Sequence, residues 1–218
     1  MGTITRGLAN NVTTAGRIAA SGISNSSVTA ITSFAGITGA DGSFTRLSTT
    51  TVSSSTASVT LTGMDSTYKL YLIDYAGVAP VTDSVHLQCK FSSDGGTTFH
   101  AGMGSGLRQY NGESAGSEAI GMNGSAGAVQ GSTFTLITDC GNDADMGQCG
   151  QIWISNPAST SLTKMFRSTN VGHHDSDLCW TSWIDGYVNT TTAINSIQFL
   201  MASGNIAAGS FRIYGVTV

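Results

Sequence analysis

From Ser84 to Phe91 the chain alternates polar and apolar residues with a period of two. That period puts Val85, Leu87, Cys89 and Phe91 on one face of a strand and His86, Gln88 and Lys90 on the other. Asp94-Gly95-Gly96 follows, a turn sequence because Asp and Gly tolerate positive φ, and Thr97 to His100 reads as the return strand. Further strands are predicted over Ala57–Leu61, Tyr68–Tyr75, Leu107–Tyr110, Thr133–Thr138 and Gly150–Ser155. The last group is Leu162–Arg167, Leu178–Val188, Ser196–Met201 and Ser210–Val216. Turn signals separate them at Asp65-Ser66, Asn156-Pro157, Asn189, Ser203-Gly204-Asn205 and Gly209. The Gly, Ser and Ala stretch Asn111 to Gly131 reads as a long loop.

Many short strands, Gly-rich turns and no helical period predict an all-β domain, an antiparallel β-sandwich or jelly roll. Residues 1–42 differ. They are Ala, Ser, Thr and Asn with scattered Ile and Val, and Phe34 is their one aromatic. Such a segment buries little surface by itself, so it is expected to be an extended N-terminal arm, with the sandwich over 43–218.

Composition narrows the partners. Only 10% of the 218 residues are charged, against about 25% in an ordinary globular domain. The net charge is −4 and no run of Lys or Arg occurs, which argues against nucleic acid, since phosphate binding needs a cationic footprint. No stretch of apolar residues is long enough for a membrane span, and the first residues lack the apolar core of a secretory signal. Any export is therefore expected to come by another route, such as lysis. The surface is neutral and hydrogen-bonding, as in β-rich proteins of large assemblies.

Several motifs then stand out in order. Ser54 to Ser58 precedes Asp65-Ser66-Thr67-Tyr68-Lys69-Leu70-Tyr71, and Pro80 to Val85 precedes Asp94-Gly95-Gly96. Gly141-Asn142-Asp143-Ala144-Asp145 precedes Gln151 to Ile154, and Ile184 to Asn189 precedes Ile197 to Ile206. The chain closes on Gly209-Ser210-Phe211-Arg212-Ile213-Tyr214-Gly215-Val216. Over about residues 48–217 this series resembles β-sandwich structural proteins of tailed, especially marine, bacteriophages, which are fibre-like or decorating. The resemblance implies a virion protein, assembled in the host cytoplasm and released by lysis. It implies other virion proteins of capsid or tail as partners, and a homo-oligomer, by the habit of such proteins a homotrimer. Within that class the expectation leans to capsid decoration or a head fibre. The alternative is a tail-fibre or receptor-binding module for a host surface glycan. The resemblance supplies no catalytic residues.

The residues offer weak chemistry of their own. His173-His174-Asp175-Ser176-Asp177 is the densest polar cluster, but neighbouring His side chains on a strand point to opposite faces, so a solvated loop is the favoured reading over a metal site. Asp139, Asn142, Asp143 and Asp145 around Cys140 lack the calcium-loop pattern and read as a turn. Gly102-Met103-Gly104-Ser105-Gly106 is read inside a loop and is not a nucleophile elbow. No catalytic, cofactor-binding or metal-binding residue is therefore assigned, no cofactor is expected and the protein is not expected to be an enzyme. Tyr110, Trp153, Trp180 and Trp183 are candidates for a glycan platform. Trp180 and Trp183 fall on opposite faces of one strand, so one is expected in the core. Cys89 reads as a small core residue, Cys179 has no close partner, and Cys140 and Cys149 are close enough in sequence to bridge a loop.

Overall fold

The computed structural model describes residues 44–112, 118–122 and 131–217. They form twelve strands and, among the described residues, no helix. The first six are β1 (Phe44–Val52), β2 (Ser58–Thr62), β3 (Leu70–Pro80), β4 (Val85–Ser92), β5 (Gly102–Gly112) and β6 (Glu118–Met122). The rest are β7 (Phe134–Cys140), β8 (Gln148–Ser155), β9 (Lys164–His174), β10 (Leu178–Val188), β11 (Ser196–Met201) and β12 (Ile206–Val216). Every strand pairing is antiparallel.

Two layers share one hydrogen-bonded network. The large layer runs β1-β12-β3-β8-β9-β10-β5-β6, and the small layer β7-β4-β11-β2. They part at β9. One edge of β9 pairs with β8 along Phe166–Val171 and touches β7 only at His174, opposite Cys140, while its other edge pairs with β10 throughout. At the far side β1 and β2 stand at opposite ends of the pairing path, yet only Ser53 to Ala57 joins them. A connection this short reaches about 20 Å at most, so the sheet must curl back on itself. Thr56 and Ile206 close that side with two backbone hydrogen bonds of 2.9 and 2.8 Å. The result is an all-β sandwich, nearly closed like a barrel.

Inward-facing side chains of the two layers meet in rings. Tyr75 on β3 and Phe211 on β12 pack on Phe199 of β11, with centroids 5.6 and 5.0 Å apart. Phe166 on β9 packs on Phe91 of β4 and Phe134 of β7 at 5.2 and 4.8 Å. All six are almost fully buried. Each contributes roughly 1.5–3 kcal/mol by leaving water, which makes these two clusters the main link between layers. Phe211 and Ile213 point inward from β12 while Arg212 points out, 2.7 Å from Asp74. Gly209 just before them has φ +146°, and a side chain there would strike Val78.

The structure revises several sequence expectations. Thr97–His100 is not a strand; only Phe99 bridges back to Ser92. The Asp94 carboxylate accepts the amides of Thr97 and Thr98, which curls the chain away from a ladder. Gly102–Gly106 is not a loop but the first half of β5, and β6 lies inside the stretch expected to be a long loop. β9 extends to His174, well beyond Arg167, and β1 was not expected as a strand at all. The expected arm over 1–42 lies outside the described residues.

Candidate functional site

Two places gather chemistry, a polar seam where the layers part and the outer face of the large layer. The seam begins with the β9–β10 turn. His173 and His174 end β9, and Asp175-Ser176-Asp177 makes the turn, so the expectation of a loop holds for the last three residues only. His174 points inward and His173 outward, as the strand period requires.

Asp139 near the end of β7 faces two imidazoles. Its carboxylate oxygens lie 3.7 Å from His86 Nδ1 and 3.8 Å from His174 Nε2. The Asp139 amide donates to His86 Nδ1 at 3.1 Å, so that nitrogen is an acceptor and the ring proton sits on Nε2. His174 Nδ1 lies 2.5 Å from Asp175 Oδ1. Hydrogen bonds from Ser84, then from Ser176, with the charge of His174, hold the Asp175 carboxyl below the usual carboxylate range. Above the carboxylates, Trp180 is sandwiched by rings. It stacks on His174 at 4.8 Å and on Tyr110 at 5.5 Å, with the Arg108 guanidinium 5.1 Å from its centre.

This arrangement ties β4 and β7 to the β9–β10 hairpin. It does not assemble a nucleophile, because the Ser176 hydroxyl donates to a carboxylate oxygen and not to an imidazole nitrogen. Among the described residues no three His, Cys, Asp or Glu side chains are placed to hold a metal ion. Asn142 is spent on structure: its side chain donates to the Val81 carbonyl and its amide to Asp83. Asp143 and Asp145 lie in the same β7–β8 connection.

All four cysteines are free. Cys140 and Cys149 form no bridge: Cys140 is buried, its thiol pushed up to about 12 by loss of solvent, while Cys149 is exposed. Cys89 is core and Cys179 is exposed.

The tryptophans divide as the strand period predicts. Trp180 is 3% exposed and Trp183 is 37% exposed. Tyr110 stacks with Trp180 on the inward side, so these two do not form an open platform. Trp183 and Trp153 lie on the outer face of the large layer, and Trp153 meets Phe44 edge to face at 6.1 Å.

That outer face carries most of the exposed apolar side chains. Met103, Leu107, Ile120, Met165, Val171 and Trp183 all project from β5, β6, β9 and β10 on this side. Register places Leu107, Trp183 and Thr169 in one row, and Ser105, Asp185, Arg167 and Trp153 in the next. A third row holds Met103, Tyr187 and Met165. Arg167 and Asp185 are exposed cross-strand neighbours, yet neither forms an ion pair with a described residue. A groove of about 380 Å³ beside them is lined by Leu70, Trp153, Ser155, Met165, Phe166 and Arg167. The small layer differs. Its outer side is a polar lattice in which Gln88 donates to Thr135, Gln198 donates to Thr60, and Lys90 lies over Phe99.

Sequence reasoning named Trp153 and Trp183 on this face but missed the methionines, Leu107, Arg167 and Asp185. The signal was present in β9, where apolar or large side chains occupy both alternating sets.

Compared with family models, curated proteins and solved structures, the chain matches none.

Proposed function

We propose that this chain is a non-enzymatic structural protein of a tailed bacteriophage virion. Its sandwich stands on the particle surface as a capsid-decorating or head-fibre domain, and residues 1–42 anchor it to other virion proteins. The observation that carries this reading is the contrast between the two outer faces. One is a polar lattice suited to water. The other is broad, apolar and low in charge, the composition of a protein-docking surface. The ordered series of motifs from Ser54 to Val216 supports the virion context. The Asp139 seam supports a structural role, since its contacts tie β4 and β7 to the β9–β10 hairpin.

A second reading is favoured by the groove beside Trp153, where an indole, a guanidinium and Ser155 stand together. Rings with hydrogen-bonding neighbours suit a sugar, as in a tail-fibre receptor-binding module.

Deleting residues 1–42 tests the anchor. The truncated protein should fold but fail to load onto particles. Normal loading would refute the anchored-decoration reading, and saturable binding of a host glycan, lost in Trp153→Ala, would favour the second.

A further inference from the structure

We infer that the outer face of β8, β9, β10 and β5 binds a second copy of this chain in a two-fold, face-to-face pair. The inference stands on the register of these strands and does not depend on the virion reading.

The face has the size for it. β5, β9 and β10 each have 11 residues. With β8 they make a surface about 20 by 35 Å, roughly 700 Å², against about 800 Å² per partner in a standard specific interface.

The pattern is self-complementary. Arg167 on β9 and Asp185 on β10 sit side by side, and neither forms an ion pair with a described residue. In the next row toward the open side of the hairpin, away from its turn, Met165 on β9 sits beside Tyr187 on β10. A copy turned over about an axis between β9 and β10, parallel to the strands, exchanges the two strands and keeps the rows. Arg167 then lies over Asp185 of the second copy, and Asp185 over its Arg167. Met165 lies over the second copy's Tyr187 in both directions, a favourable sulfur–aromatic pairing. Sheets packed face to face lie about 10 Å apart, a distance these side chains span. One self-complementary patch closes a pair. A three-fold ring would need two different patches that complement each other.

Charge reversal separates contacts between copies from contacts within one. Sedimentation velocity of the full chain from 1 to 100 µM should give twice the chain mass for the wild type. Arg167→Asp sets acid against acid in a homodimer, and Asp185→Arg sets base against base, so each alone should raise the dissociation constant at least tenfold. An equimolar mixture of the two variants restores both pairs and should recover the double mass. Trp183→Glu, tested separately, should also be monomeric. A wild type that sediments as monomer or trimer overturns the inference. So do single variants whose dissociation constant rises less than tenfold, or a mixture that dimerises no better than the single variants. The wild-type mass decides even where a variant fails to fold. A monomeric wild type would leave the face to another virion protein or to a glycan.

Discussion

The Tyr75 hydroxyl donates to the Asn170 side-chain oxygen at 2.7 Å, deep inside the large layer, where both residues are almost fully buried. The Asn170 amide spends its hydrogens on the Leu136 carbonyl, the Ser168 hydroxyl and Ser182. The group therefore joins β3 and β9 to β7 and β10 near the point where the layers part. Buried polar groups satisfied in this way fix register, because a slip of one residue would strand every one of them.

Tyr75→Phe should cost about 1–3 kcal/mol, since the Asn170 oxygen loses this donor in a dry site. Asn170→Ala should cost more, about 2–4 kcal/mol, because it strands several groups and leaves a cavity. Gly150→Ala should also destabilise: its Cβ would sit 2.5 Å from the Tyr75 hydroxyl oxygen and 2.7 Å from Asn170 Oδ1. Urea unfolding followed by circular dichroism measures all three. Midpoints equal to the wild type would mean that the network does not hold the layers.

Asp94 should make the fold acid-sensitive. Hydrogen bonds from Thr98, then from Ser92 and Thr97, hold its carboxyl well below the usual range. Asp175 and Asp65 are shifted in the same direction. A carboxyl whose folded pKa is depressed contributes stability above its unfolded pKa of about 3.9, and that stability is lost as the pH falls toward the folded value. Melting temperature should hold between pH 5 and pH 7 or so and drop below about pH 4. The Asp94→Asn variant should melt lower at pH 6 and lose less between pH 5 and pH 2.5. Parallel curves for variant and wild type would contradict this role.

The four thiols should react in two classes. Cys149 and Cys179 are exposed, whereas Cys89 and Cys140 are buried and held protonated by loss of solvent. A chromogenic disulfide reagent at pH 8 should titrate two thiols in the native protein and all four after denaturation. Two thiols or fewer in the denatured, unreduced protein would reveal a disulfide.

Much of this fold was legible from alternation alone. β10 and β11 have the boundaries the pattern predicts, Cys89 is buried as expected, and of Trp180 and Trp183, one of which was expected in the core, it is Trp180 that is buried. The misses share a physical cause. On the inward side of β5, Gly102 and Gly104 stand where larger strands carry apolar side chains. The Phe134 ring fills that space, so a Cβ at Gly102 would lie 2.8 Å from it. A strand whose core-facing residues are glycines does not look like one. β9 hid its second half in the same way, since Ser168, Asn170 and Gly172 face inward: Ser168 donates to the Ile184 carbonyl, Asn170 to Ser182, and the Gln148 side chain fills the space a side chain at Gly172 would take. β1 is a sheet margin of Ser and Thr with only Val52 buried, so it has no apolar period to read. The outer face was legible in part. Trp153 and Trp183 could be named from composition, but the meeting of Arg167 with Asp185 depends on the β9–β10 register and on the length of β9.

Cryo-electron microscopy of the purified virion tests the central proposal most directly. The account predicts many copies of this sandwich in a symmetric array on the capsid surface, with the N-terminal residues running into the shell. A particle that lacks the chain, or that carries it in a few copies at the tail tip, would contradict the decorating role.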